Sequence, residues 1–196
     1  MYIIKITDDP RTPQDREALL FDTACSFRPD LNETPLVLCR TEKGKPYLVY
    51  ETTGKPVSDL EFSISHSEKV WGCIVSDCTC GLDIQKIRPA DHESLAERFF
   101  SQNESQYVKS AGIRGFYEIW TRREALAKYT GLGFFGMSGS RPELVEPDSD
   151  AAGISEPSPR LSETVVWNGK TVVFEEIKVP EGFVAVWCHE KGGKEL

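Results

Sequence analysis

The chain has 196 residues, 39% hydrophobic and 28% charged, the balance of a soluble globular protein with one sizeable domain or two small lobes. Its formal net charge of −8 argues against a nucleic-acid partner, which asks for a basic surface. The apolar start Met1–Ile6 is too short for a membrane helix and lacks the basic lead of a signal peptide, so no membrane partner and a cytoplasmic setting are expected.

In chain order, Met1–Thr7 reads as a strand rich in β-branched residues. Thr12 or Pro13 opens a helix to about Phe27, stopped by Pro29. Pro35–Arg40 and Pro46–Tyr50 read as short strands around a Lys43-Gly44-Lys45-Pro46 turn. Glu61–Ser65 and Val70–Ser76 form a further pair, and Cys80–Ile84 is an apolar strand interrupted by Asp83. A helix follows from about Glu93 to Phe100. Ser101 and Glu104 then stand at capping-box spacing for a helix through about Lys109. A longer helix runs from Ile113 to Tyr129, ended by Gly131 and Gly133. Residues 137–162 hold four prolines and no apolar period, and read as a mobile or partly ordered insertion. Val165–Glu175, with an Asn168-Gly169 turn, and Phe183–Cys188 close the chain as strands. This order predicts an α+β protein of two similar lobes, residues 1–80 and 81–196, each a small antiparallel sheet packed with helices.

The six cysteines do not have zinc-site spacing: Cys78 and Cys80 are separated by a single residue, and the others sit mostly in apolar runs. They read as reduced, structural thiols.

Three clusters carry chemistry. In Gly81-Leu82-Asp83-Ile84-Gln85 a carboxylate sits in an apolar strand, which is costly unless something pairs with it, and a cation is one such partner. In Trp120–Lys128 the helical spacing puts Trp120, Glu124 and Lys128 on one face. In Phe62-Ser63-Ile64-Ser65-His66-Ser67 hydroxyls and an imidazole leave a strand end, a set able to hold a phosphate. The basic residues Arg114, Arg122, Arg123 and Lys128 form a local surplus of positive charge that suggests a bound anion.

Taken together with Gly44-Lys45-Pro46 and with Arg98-Phe99-Phe100-Ser101 and Glu104, these clusters resemble the 4'-phosphopantetheinyl transferase superfamily. Its signature runs F-N-x-S-H-S, G-I-D-I-E, R-F-F-S-x-x-E and W-x-x-K-E-A-x-x-K followed by G-x-G. The spacing is similar to that of the larger, surfactin-synthetase-activating class, whose single chain holds two pseudo-symmetric lobes. The detailed match covers about residues 40–135.

The resemblance implies transfer of the 4'-phosphopantetheine group of coenzyme A to a serine of an acyl, polyketide or peptidyl carrier protein, with Mg²⁺ (or Mn²⁺) as cofactor and 3',5'-ADP as product. It implies that Asp83 and Glu124, with Gln85 as a third ligand, hold the metal. Lys45 and Pro46 would line the adenine and phosphate side, with Arg40 beside them, while Ser65 and His66 would hold the 3'-phosphate. Arg123 would bind a phosphate, Lys128 would reach the diphosphate, and Glu124 would serve as general base directly or through a water. Three positions depart from the signature: Gln85 for glutamate, Ser63 for asparagine, and Arg123 for lysine. The first leaves open a catalytically weakened member that binds coenzyme A or a carrier protein. A monomer is expected, with the carrier docking near Arg114–Tyr117.

Overall fold

The computed structural model describes residues 1–10, 12–137, 141–146 and 159–192. The fold is α+β, built from small antiparallel sheets and three helices. β1 (Tyr2–Asp8) pairs with β5 (Val70–Ser76), and β5 pairs with β4 (Glu61–Ser67), giving a three-stranded antiparallel sheet in the order β1-β5-β4. β2 (Leu36–Arg40) and β3 (Pro46–Tyr50) form a separate hairpin. β6 (Cys80–Lys86), β9 (Thr164–Trp167), β10 (Lys170–Glu176) and β11 (Phe183–Glu190) form a second antiparallel sheet in the order β6-β11-β10-β9. Asn168 and Gly169 both take positive φ in the two-residue turn between β9 and β10, as the Asn-Gly pair predicts.

Helix α1 (Pro13–Phe27) starts at Thr12, whose side chain accepts the Asp15 N–H, and packs Leu20 and Ala24 against Trp71, Cys73 and Val75 of the first sheet. Helix α2 (His92–Phe99) and helix α3 (Gln102–Thr130) cover the second sheet, burying Ile119, Leu126, Val172 and Val186 in one core. A third core lies between the sheets, where Ile74 meets Leu82, Ile84 and Trp187.

The two helices expected here adjoin in α3 and are separated by a break at Gly112, whose φ of 66° and ψ of −155° lie outside the helical region. The capping box at its start is complete: the Ser101 hydroxyl accepts the Glu104 N–H and the Glu104 carboxylate accepts the Ser101 N–H. Gly131 ends it in the left-handed conformation.

The ends of the expected 137–162 insertion are anchored. Leu144 is fully buried, and β7 (Val145–Glu146) pairs with β8 (Arg160–Leu161). Most of the segment between them lies outside the described residues. The six cysteines are free. No helix among the described residues is long and apolar enough to cross a membrane.

The two sheets meet edge to edge at β4 and β6, and this seam sets up the site. β6 is the outer strand of its sheet, so alternate backbone N–H groups point away from β11 and need acceptors. Backbone pairing with β4 does not supply them. Instead the hydroxyls of Ser63, Ser65 and Ser67 accept the N–H groups of Leu82, Ile84 and Lys86 at 2.9, 3.1 and 2.9 Å. The two-residue spacing of the serines matches the two-residue spacing of the outward N–H groups.

Candidate functional site

A cleft of about 700 Å³ opens over this seam. Its walls come from α1 (Arg16, Glu17), the β2–β3 hairpin (Arg40, Lys43, Lys45, Pro46), β4 (Ser65, His66), β6 (Asp83) and α3 (Glu124, Lys128), with Gly131 and Gly133 at the helix end. Five Arg and Lys residues line it beside three carboxylates, and two of those cations are already paired elsewhere, Arg16 with Asp9 and Lys45 with Glu61.

Asp83 stands at the floor, 3% exposed. Its Oδ1 accepts the Ser65 hydroxyl at 2.9 Å and the Lys128 ammonium at 2.8 Å, and its Oδ2 accepts the Gln85 amide nitrogen at 2.9 Å. Lys128 uses its remaining two donors on the carbonyls of Leu82 (2.9 Å) and Ile64 (3.3 Å), so its ammonium straddles the seam between β4 and β6.

Glu124 lies one helical turn before Lys128, half-buried in the same cleft. It accepts no hydrogen bond among the described residues. Its pKa is raised above the ordinary carboxylate value, first by burial and then by repulsion from Asp83, with Lys128 pulling the other way. Two carboxylates thus line one cleft, with Lys128 paired to Asp83 and drawing on Glu124 as well.

The helix meets the strand this closely because position 81 is glycine. A Cβ there would lie 2.0 Å from the Ala125 carbonyl oxygen and 2.7 Å from the Tyr129 nitrogen. At the other end of the cleft, Gly131 lies against the stem of Lys45, and its φ of +68° is what favours glycine there. The Lys45 ammonium lies 3.3 Å from Glu61, and the Arg40 guanidinium donates to the Gly44 carbonyl at 3.1 Å. His66 is exposed on the cleft wall.

Of the residues singled out in the sequence, the structure brings Arg40, Lys45, Pro46, Ser65, His66, Asp83, Glu124 and Lys128 to one cleft. Two expectations, for Arg123 and Ser65, need correction, and Gln85 has a partner that the sequence did not show. Arg123 does not face the cleft: it is one residue round the helix from Glu124, 2% exposed, with its Nη2 held at 2.6 and 2.7 Å by the two oxygens of Glu104. Gln85 directs its amide nitrogen at Asp83 Oδ2 and is a hydrogen-bond donor to the carboxylate. The Ser65 hydroxyl proton is committed to Asp83, which leaves it none for a phosphate.

The basic run of α3 disperses in the same way. Arg114 pairs with Glu118 and Arg122 with Glu176, so only Lys128 of that run reaches the cleft. The remaining cations come from Arg16, Arg40, Lys43 and Lys45. Sequence reasoning missed Arg16 and Lys43. Lys43 was findable as a neighbour of the Gly-Lys-Pro turn. Arg16 had no local signal, since only the packing of α1 on the first sheet carries it to the cleft.

The family model of the 4'-phosphopantetheinyl transferase superfamily matches residues 79–188, which include β6, all of α3 and nearly all of β11. The chain belongs to that superfamily. It is 36% identical over 110 residues to the 4'-phosphopantetheinyl transferase psf-1 of Bacillus pumilus, covering 50% of this chain and 47% of that protein. It is 34% identical over 124 residues to the 4'-phosphopantetheinyl transferase AcpT of Salmonella typhi, covering 58% and 61%. It is 32% identical over 100 residues to the 4'-phosphopantetheinyl transferase gsp of Aneurinibacillus migulanus, covering 49% and 38%. The chain thus spans about half the length of the curated relatives it matches.

Proposed function

We propose that this protein transfers the 4'-phosphopantetheine group of coenzyme A to a serine hydroxyl of a carrier protein, with Mg²⁺ as cofactor and 3',5'-ADP as leaving group. The observation that carries the reading is the meeting of Asp83, Glu124 and Lys128 in a cleft that Arg16, Arg40, Lys43 and Lys45 also line. Coenzyme A carries a 3'-phosphate and a diphosphate, and a cleft of this size lined by five Arg and Lys residues suits such a ligand.

The donor set fits a divalent cation. Among the described residues no three His, Cys, Asp or Glu side chains gather as a metal cluster. Two carboxylates completed by phosphate and water oxygens are, however, the usual Mg²⁺ arrangement. Asp83 keeps lone-pair capacity on Oδ2, and Glu124 accepts no hydrogen bond among the described residues. Asp83 and Glu124 would hold the ion, which when bound neutralises the charge that builds on the diphosphate oxygens.

The chain's own residues do the rest. Arg16, Arg40, Lys43, Lys45 and His66 form the cationic wall that receives the phosphates. Lys128 sits beside Asp83 and can trade one carbonyl acceptor for a diphosphate oxygen, offsetting charge as the bond to the leaving group breaks. Glu124, with its raised pKa, is the general base for the attacking serine hydroxyl, directly or through a water.

The test is incubation with coenzyme A, Mg²⁺ and an apo carrier protein, read by mass spectrometry. The carrier gains one phosphopantetheine. A carrier of unchanged mass, with coenzyme A bound by the protein, would leave only a binding module.

A further inference from the structure

The serine ladder of the β4–β6 seam is uneven in one respect. Ser63, Ser65 and Ser67 each accept a backbone N–H from β6, but only the Ser65 hydroxyl goes on to donate to a carboxylate. We propose that Ser65 is a positioning residue for the metal, its hydroxyl fixing which oxygen of Asp83 is offered to the cation. This rests on the reading of Asp83 as a metal ligand.

The argument follows from counting lone pairs. An ionised carboxylate has about four acceptor sites, two on each oxygen. On Asp83, Oδ1 fills both of its sites with Ser65 and Lys128, while Oδ2 fills one with Gln85. The free site is therefore on Oδ2. Ser65 is itself held in place, because its oxygen accepts the Ile84 N–H one residue along β6. It is 9% exposed, on a strand paired along its whole length with β5. The hydroxyl is a fixed point on one sheet that sets the side-chain rotation of a carboxylate on the other. Gln85 and Lys128 also touch Asp83, but both sit on flexible side chains that are only half-buried. Ser65 is the rigid donor of the three. Groups that orient a metal ligand typically change metal affinity about 10- to 100-fold when removed.

Ser63 and Ser67 supply controls within the same strand. Each makes the same kind of bond to the backbone of β6 and neither touches Asp83. The experiment is titration of the protein with Mn²⁺, followed by the loss of free-ion electron paramagnetic resonance signal, for wild type, Ser63→Ala, Ser65→Ala, Ser67→Ala, Ser65→Thr and Asp83→Asn. Thermal unfolding of each variant is followed in parallel. Ser65→Ala is expected to weaken Mn²⁺ binding by about tenfold or more, and Ser65→Thr to keep it within about threefold. Ser63→Ala and Ser67→Ala should lose similar stability and keep wild-type affinity.

Equal loss of Mn²⁺ affinity in all three alanine variants would make the effect one of general seam integrity and overturn the proposal. So would wild-type affinity in Ser65→Ala when Asp83→Asn has lost it. A wild-type protein that binds no Mn²⁺, or an Asp83→Asn variant that binds it normally, would instead overturn the metal reading of Asp83, and this inference with it.

Discussion

Asp83 and Glu104 are both buried carboxylates paired with a cation of α3, and they differ in how completely they are satisfied. Glu104, 0% exposed, accepts Arg123 on both oxygens, the Leu144 N–H on Oε1 and the Ser101 N–H on Oε2, which fills its four sites. Asp83 accepts three donors, its cationic partner Lys128 is partly exposed, and a second carboxylate, Glu124, lines the same cleft without a hydrogen-bond donor among the described residues. The closed set joins the start of α3, its middle and the 141–146 segment. The open set faces the cleft. One helix that supplies a cation to each of two buried carboxylates therefore yields two outcomes. Facing inward gives a structural clamp, and facing the cleft gives a site with capacity left for a ligand.

Substitutions on the two sides should fail in different ways. The largest effect is expected on the open side. Asp83→Ala and Glu124→Ala should each lower carrier modification by about a thousandfold or more, as loss of a key electrostatic contact does. Both should keep the wild-type circular dichroism spectrum. Turnover within tenfold of wild type in either variant would remove that residue from the chemistry. On the closed side, Arg123→Ala leaves Glu104 buried without its cation and should cost about 3–5 kcal/mol of unfolding free energy in urea. The KM for coenzyme A of the folded fraction should stay unchanged. A raised KM with unaltered stability would return Arg123 to the phosphate-binding role that its place in the motif suggested.

That last point shows where sequence reading reached and where it stopped. The capping box at Ser101 and Glu104, the helix stop at Gly131 and the Asn168-Gly169 turn were legible because each depends on a few consecutive residues and their backbone preferences. The shared face of Glu124 and Lys128 was legible from helical spacing. The fate of Arg123 was not, since one position along a helix is a rotation of about 100°, enough to turn a side chain from cleft to core, and only the packing of α3 decides which way it points. The serines of β4 were read as phosphate ligands because local sequence cannot reveal that a second sheet edge lies alongside, with outward N–H groups at the same spacing. Arg16 reaches the cleft through tertiary packing alone.

A milder test of the open site is Lys128→Ala. It should slow turnover about 100-fold, the scale for one stabilising donor in a transition state. It should change unfolding free energy by no more than about 1 kcal/mol, because a half-exposed ion pair is worth little and Asp83 keeps Ser65 and Gln85. An unfolding cost as large as that of Arg123→Ala would mean that the two carboxylates are equivalent after all.

The smallest effect separates function from stability within one side chain. Glu124 is held above its ordinary value of 4.5 by burial and by Asp83, so the folded chain binds the Glu124 proton more tightly than the unfolded chain does. Between the ordinary and the raised value the native state carries more of that proton, and stability falls as pH rises through this window. Above it the whole cost of the charged form is in place. Glu124→Gln removes that cost while keeping the shape, so in the absence of metal and coenzyme A the variant should melt at a higher temperature than wild type at neutral pH. The difference should shrink as pH falls through the window. Adding Mg²⁺ and coenzyme A should stabilise wild type more than the variant and reduce or reverse the gap, since the charge that strains the free protein is the one that would hold the ion. A ligand-free variant that melts below wild type at neutral pH would show that Glu124 contributes to the fold as Glu104 does, and the distinction between the two sides of α3 would fail at its most sensitive point.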